Sequence, residues 1–383
     1  MRAKNFNSNQ LKAVTYGKGP LLVAAGPGSG KTTVLTERIR FIVEQLHANP
    51  GSVLVMTFSR AAAAEMRNRF LKMEVADADK VCFGTFHSVF YRVLRLAYGE
   101  LARNYIFDDE SMEQIRFDEM LQMTQELLSQ REDICEQIRK KYRWILIDEF
   151  QDIDDLQFEI VKLIAPPATH PNITVVGDDD QSIYAFRGAN PQIMLDFEKT
   201  YPGTEKVFLD INYRSGAEIT EIAMRFIAHN KARFNKHIVS GRGPGADVHL
   251  LEFEDTMAEY NYIVRKLTEA AASGTEQNEL AVLHRNNIQP WEMANLLREK
   301  GLDKVNLMTF HKSKGLEFKK VWIIDVCRGM IPSPKAGTEK ELEEERRSFY
   351  VAMTRAEDEL NICWTLLSRN KKTNPSEFIF ELQ

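Results

Sequence analysis

Short, uninterrupted apolar runs alternate along the chain with longer stretches in which apolar positions recur every three or four residues. Leu21–Ala25, Val53–Thr57, Val81–Phe83, Trp144–Ile147 and Ile173–Val176 form a first series of predicted strands. Val207–Leu209, Val248–Phe253, Leu280–Leu283, Asn306–Thr309, Val321–Val326 and Leu360–Cys363 form a second. Continuous Val/Ile/Leu runs are the pattern of strands covered on both faces, the habit of parallel sheets. Between them, Thr32–Gln45 and Ala61–Leu71 carry the helical period. Alternating strands and helices predict an α/β architecture. Two series predict two doubly wound domains, 1–206 and 207–383. The stretch 103–141 breaks the pattern: it is acidic, rich in Gln, Met and Leu, and helical in period. It is expected to be a short helical connector. Ser240–Ala246 reads as a loop from its Gly and Pro content.

Composition adds exclusions. With 383 residues, 44% hydrophobic and 27% charged, the chain is ordinary for a globular protein. No apolar run approaches the ~18 residues of a membrane span, and no apolar segment follows the N-terminal charges, so a cytoplasmic location without membrane partners is expected. The four cysteines are scattered, with no C-x-x-C pair, and metal ligation by them is not expected. The net charge of −5 argues at first against nucleic acid, but its distribution reverses that. Residues 1–105 hold 15 basic and 7 acidic side chains, while 106–160 hold 6 and 16. A basic first quarter suits phosphate contact and equally suits a solvated surface.

The chemistry begins after the first strand, at Ala25-Gly-Pro-Gly-Ser-Gly-Lys-Thr32. Glycines let backbone N–H groups curl around phosphates, a lysine reaches the terminal phosphates, and a hydroxyl ligates Mg²⁺. Gly26, Gly28, Ser29, Gly30, Lys31, Thr32 and Thr33 are therefore the candidate nucleotide ligands, with ATP and Mg²⁺ as the implied cofactors. Trp144-Ile-Leu-Ile-Asp-Glu149 is an apolar strand ending in two acids. Asp148 suits holding Mg²⁺, partly through water, and Glu149 suits orienting the attacking water. A further strand runs into Gly-Asp-Asp-Asp-Gln181, whose amide can sense a γ-phosphate. Tyr184, Phe186 and Arg187 then place two aromatics and a cation within four residues, a pattern that lets bases stack while the cation meets a phosphate.

Taken in order, these motifs resemble a superfamily-1 helicase of the UvrD/Rep type, and the resemblance runs nearly end to end. Phe6–Val14 (F-N-S-N-Q-L-K-A-V) resembles the adenine-reading segment, with Gln10 as base contact. Thr57–Met66 and Gly84–Ser88 resemble strand-binding segments, which implies DNA contacts by Thr57, Phe58, Arg60, Thr85 and His87. Asn212–Ser215 (N-Y-R-S) resembles the segment whose Tyr213 would stack on adenine and whose Arg214 would touch the γ-phosphate. Met308–Phe318 and Glu343–Ala356 resemble the last two motifs, implying DNA contacts by Thr309 and His311, a ribose contact by Glu317 and a γ-phosphate contact by Arg355. The fold implied is two RecA-like domains, each a mainly parallel sheet flanked by helices, with the nucleotide site between them. The activity implied is ATP-dependent 3′–5′ translocation on single-stranded DNA, on substrates with a 3′ tail or a single-strand/duplex junction, in repair or a related process.

Departures from the family matter too. Larger members carry a helical insertion in each core domain. Here about fifty residues separate Arg95 from Trp144, and the run from Leu280 to the Met308 motif leaves no room for the second insertion. Phe186 stands where many relatives have Trp. A second reading therefore stays open: a DNA-binding ATPase switch or scaffold subunit of a repair or phage-defence complex that needs a protein partner to unwind duplex.

Overall fold

The computed structural model describes residues 6–99, 115–286, 291–368 and 371–382. They divide into two compact units. The first holds Met1–Ala25, Gly30–Asp179 and Tyr184–Leu209; the second holds Asp210–Gln383 together with the short segments Gly26–Ser29 and Asp180–Ile183. No helix among the described residues is long and apolar enough to cross a membrane.

The first unit is built on six strands: β1 (Leu21–Ala25), β2 (Val53–Thr57), β3 (Cys82–Thr85), β4 (Trp144–Ile147), β5 (Asn172–Gly177) and β6 (Glu205–Leu209). Their order is β3-β2-β4-β5-β1-β6 and every pairing is parallel. The continuous apolar runs have the reason expected of them. Leu21, Val23 and Ala25 join one hydrophobic cluster with Val53, Val55 and Leu146, while Leu22, Ala24 and Leu54 between them are equally buried. A parallel sheet needs crossovers, and helices supply them. They include α1 (Ser8–Thr15), α2 (Lys31–Glu44), α3 (Arg60–Leu71) and α4 (Phe86–Tyr98). The predicted connector contributes α5 (Ile115–Gln130) and α6 (Glu132–Lys141), with no strand among its described residues; its positions 103–114 lie outside them.

One strand falls elsewhere than expected. Val207–Leu209, read as the opening of the second series, belongs to β6 and pairs with β1 in register from Leu21↔Glu205 to Ala25↔Leu209. Its apolar run is as short as its neighbours', so period alone could not say which sheet it joins. The first unit thus runs to Leu209, past the expected boundary at 206.

The second unit has a two-stranded pair, β7 (Ile211–Asn212) with β8 (Val239–Ser240), and a larger sheet. The latter comprises β9 (Asp247–Asp255), β10 (Leu280–His284), β11 (Asn306–Thr309), β12 (Phe318–Ile323), β13 (Ala356–Ser368) and β14 (Lys371–Lys372). The order is β11-β10-β12-β13-β14, with β9 also paired to β13. All pairings are parallel except the antiparallel β13–β14 contact. Its two faces can be read residue by residue. Ala281, Leu283, Val321 and Ile323 pack with Phe226 and Phe349, whereas Leu280, Val282 and Trp322 pack with Ile263, Leu267 and Met293. Side chains alternate across a strand, so each run serves two cores. The predicted Val321–Val326 strand stops at Ile323 because Asp325 turns to φ 57°, a left-handed value that ends extended backbone.

Candidate active site

Much of the chemistry follows β1 and β4, two strands of the first unit, although Gly26–Ser29 of the loop after β1 group with the second. The loop after β1 turns twice through left-handed glycines, Gly28 (φ 64°) and Gly30 (φ 81°), conformations that cost a side chain steric strain. Ser29 Oγ donates to the Gly26 carbonyl (2.7 Å) and pins the loop. Lys31 opens α2, whose first turn holds Thr32 and Thr33, all half-buried. Helix α1 begins with a capping box: Asn7 Oδ1 accepts from Gln10 N (2.8 Å), and Asn7 N donates to Gln10 Oε1 (3.2 Å). Gln10, the expected adenine contact, is thus a helix-start residue as well. A Cβ on Gly30 would lie 3.2 Å from Gln10 Nε2, so the carboxamide reaches the loop.

Asp148 and Glu149 follow β4, and their environments diverge. Asp148 N donates to the Met56 carbonyl (2.9 Å), fixing its position against β2. Its side chain is 5% exposed, and Oδ1 finds no hydrogen-bond partner among the described residues. Burial first, and then the charge of Glu149, raise the Asp148 carboxyl to about 7, with Lys31 pulling the other way. An orphaned buried carboxylate oxygen near a lysine-led helix fits a cation. Glu149 sits at φ 51°, a left-handed value worth roughly 1–3 kcal/mol of strain in a non-glycine residue. The turn Phe150–Asp152 holds it there, with Asp152 N donating to the Glu149 carbonyl (3.0 Å).

Sequence reasoning passed over Gln151. Fully buried, it donates from Nε2 to Glu149 Oε2 (2.6 Å) and accepts at Oε1 from Asp178 N (2.9 Å). It therefore ties the end of β4 to the end of β5. A Cβ on Gly177 would meet Gln151 Oε1 at 2.4 Å, so glycine is required there. The available signal was the Phe-Gln-Asp triplet directly behind the two acids.

The candidate strand-binding residues of this unit sort into two kinds. Phe58 and Tyr184 stack face to face, with centroids 5.3 Å apart and planes at 9°. Phe186 meets Tyr184 edge-on at 5.9 Å and is 66% exposed, and the Arg187 guanidinium lies 5.5 Å from both rings. Phe58 and Tyr184 are half-buried, and an exposed aromatic on such a stacked pair, beside a cation, makes a platform for bases. Arg60 is exposed at the start of α3 and His87 is half-buried in α4. Thr57 and Thr85 are buried and serve the backbone. Thr57 Oγ1 donates to the Ser59 carbonyl (3.0 Å), and Thr85 Oγ1 accepts from Ser88 N (3.2 Å) as the cap of α4.

In the second unit, Asn212 Oδ1 accepts from Arg214 N (2.8 Å) and Ser215 N (3.1 Å), folding the Asn-Tyr-Arg-Ser turn. Tyr213 is left 45% exposed, and Arg214 donates to Glu317 Oε2 (2.8 Å) and to the Thr354 carbonyl (3.2 Å). Glu317, the expected ribose contact, is thus an ion-pair partner of Arg214 in this structure. Arg355 is 1% exposed. It donates to the carbonyls of Val351 (2.8 Å) and Leu316 (3.1 Å), to Thr354 Oγ1 (3.1 Å) and to Gln181 Oε1 (3.5 Å). These bonds hold the guanidinium in one orientation. Lys314 Nζ donates to the Gln181 carbonyl (2.8 Å). Thr309 caps the short turn Phe310–Ser313. Burial, followed by the charge of Arg285, lowers His311 to about 4, so its ring is neutral at pH 7. Arg285 itself makes a two-pronged bond to Glu345 (3.0 and 2.5 Å), a pair the sequence did not announce.

The UvrD/REP helicase N-terminal domain family matches residues 6–115 and 97–202, and the UvrD-like helicase C-terminal domain family matches 207–303 and 296–366. A putative ATP-dependent DNA helicase, YjcD, of Bacillus subtilis is 33% identical, over 74% of this chain and 46% of its own length. The ATP-dependent DNA helicase PcrA of Staphylococcus epidermidis is 30% identical, over 75% of this chain and 48% of its own. The PcrA of Staphylococcus aureus is 29% identical, over 74% and 48%. The chain spans about half the length of the curated relatives it matches.

Proposed function

Because the chain belongs to the UvrD/Rep family of superfamily-1 helicases, we propose that it is an ATP-driven motor that moves 3′ to 5′ on single-stranded DNA. The observation that carries this reading is the buried Asp148 oxygen, without a hydrogen-bond partner among the described residues, whose carboxyl feels the charge of Lys31. A deeply buried acid left short of partners is costly unless a cation completes it. Thr32 and Asp148 would hold Mg²⁺, which when bound neutralises phosphate oxygens. Lys31 and the loop amides bind the phosphates, and the α2 N-terminus adds its positive end. Glu149, oriented by Gln151, accepts the proton of the attacking water, and Gln181 orients that water. We assign Arg214 and Arg355 to the γ-phosphate of the same ATP, where added positive charge stabilises the transition state. Tyr213 would stack on the adenine that Gln10 reads. Loss of the γ-phosphate removes the hold of both arginines once per turnover. Phe58, Tyr184, Phe186 and Arg187 then convert that cycle into steps along stacked bases.

Purified protein should hydrolyse ATP faster with single-stranded DNA than without. It should displace an end-bound protein from a strand with one polarity. Turnover that ignores DNA would sink the motor reading. The reading as a partner-dependent switch draws on one feature: among the described residues, the stretch between β10 and β11 holds the single helix Trp291–Glu299, where larger relatives carry an insertion. Opening each base-pair step costs on average ~1.4 kcal/mol, and the described residues of that stretch add no inserted surface to hold the duplex. We therefore expect little unaided unwinding of a 3′-tailed duplex of several tens of base pairs. Complete single-turnover strand separation by one monomer would overturn that expectation.

A further inference from the structure

The segment Asp180–Ile183 carries Gln181 and is held by basic side chains of the second unit. Lys314 binds the Gln181 carbonyl, and Arg347 Nε donates to the Ser182 carbonyl (2.9 Å). The firmest hold falls on the neighbouring acid. Arg233 presents two parallel donors to Asp180, Nε to Oδ1 at 2.8 Å and Nη2 to Oδ2 at 2.7 Å. Lys236 Nζ reaches the same Oδ2 at 2.9 Å. The Asp180 and Lys236 side chains are each 1% exposed and that of Arg233 is 10% exposed. Burial raises the Asp180 carboxyl, but Lys236 and Arg233 outweigh it and the group stays ionised.

The loop that supplies both cations is itself fixed. Asn230 Nδ2 donates to the Glu343 carbonyl (2.9 Å), and Glu343 Oε1 accepts from Lys231 N (2.6 Å) and Ala232 N (3.3 Å). Glu343 lies on the helix Glu339–Met353, whose end leads into Arg355. One helix therefore bears on Gln181 twice: directly through Arg355, and indirectly through Glu343, the 230–236 loop and Asp180. Two buried cations on one carboxylate are far more than surface solubility needs, and a planar fork fixes orientation as well as distance.

We propose that Arg233 and Lys236 are positioning residues of the ATPase: by locking Asp180 they set where the Gln181 amide stands, without touching nucleotide or DNA themselves. This rests on the ATPase reading above, which the stimulated turnover of the unaltered chain tests separately.

The test is a double-mutant cycle on DNA-stimulated turnover. Lys236→Met and Arg233→Gln should each lower kcat by roughly ten- to a hundredfold, the range that small misplacement of a catalytic group produces. KM for ATP and single-strand affinity should hold within about twofold, since neither residue binds ligand. In a Gln181→Ala background the same substitutions should cost nothing further, because residues acting through one group are not additive. Arg233→Lys keeps the charge without the fork. It should fall between wild type and Arg233→Gln, and it serves where the neutral variants do not fold. Losses that multiply fully with Gln181→Ala, or folded variants with lower Tm and unchanged kcat, would overturn the proposal.

Discussion

Asp148 and Arg355 are almost equally hidden from solvent, yet they are left in opposite conditions. The acid, in the first unit, has an oxygen with no partner among the described residues and a carboxyl pushed toward neutrality. The arginine, in the second, is held by bonds to two backbone carbonyls, a hydroxyl and a carboxamide oxygen. The contrast teaches how a ligand would act on each unit. Where the acid stands, binding relieves a standing penalty. Where the arginine stands, the bonds already made hold the guanidinium in place, so that a ligand engaging it without breaking them meets a preorganised donor.

The largest expected effects test whether these residues belong to one reaction. Lys31→Ala or Glu149→Gln should abolish DNA-stimulated ATPase, with Glu149→Gln retaining ATP binding; a Glu149→Gln protein that turns over normally would remove the base assignment. Arg355→Ala should follow closely, losing about 10³-fold or more in kcat, the range of an arginine finger. A loss in ATP affinity alone would make Arg355 a binding residue instead.

A smaller effect separates the two residues by pH. A carboxyl raised in the folded state binds more protons there than in the unfolded chain between about pH 4 and 7, so its contribution to stability declines as pH rises through that window. Asp148→Asn removes the decline. Without nucleotide or Mg²⁺, its Tm should exceed that of wild type at pH 8, with the gain shrinking toward pH 5. Adding Mg²⁺ should raise the Tm of wild type more than that of the variant. An Asp148→Asn protein less stable than wild type at pH 8 would show that the acid is satisfied as it stands. Smaller still, Tyr184→Ala and Phe186→Ala should each weaken single-strand binding by ~1–3 kcal/mol, as titration with labelled oligonucleotide would read. Phe58→Ala should behave like Tyr184→Ala, since the two rings stack. Normal binding with lowered Tm would make these aromatics core residues.

What the sequence disclosed, and what it hid, follows from range. The loop through Lys31, the Asp148–Glu149 strand end and the Tyr184-x-Phe186-Arg187 cluster are local, because their chemistry and geometry are set within a few consecutive residues. The sheet order was legible only in kind: β6 reads like any short apolar run, and only its pairing with β1 assigns it to the first sheet. Pairings across tens of residues carried no local mark. Arg233 with Asp180, Arg285 with Glu345 and Arg214 with Glu317 each join charges that look like ordinary surface charges when read alone. Gln151 lay in plain view, but its task depends on where β5 ends, which no spacing reveals.

The strand that begins at Ala356, one residue after Arg355, is thirteen residues long and pairs in parallel with β12 on one side and β9 on the other. At ~3.3 Å per residue it extends for roughly 43 Å. A pull on Arg355 along the chain would load both hydrogen-bonded ladders in shear, so that many bonds resist together. Were the arginine carried on a hairpin tip, the same pull would peel bonds one by one. The second unit therefore has a stiff tie rod behind its buried guanidinium, and little of any displacement imposed there would be lost to stretching of the sheet.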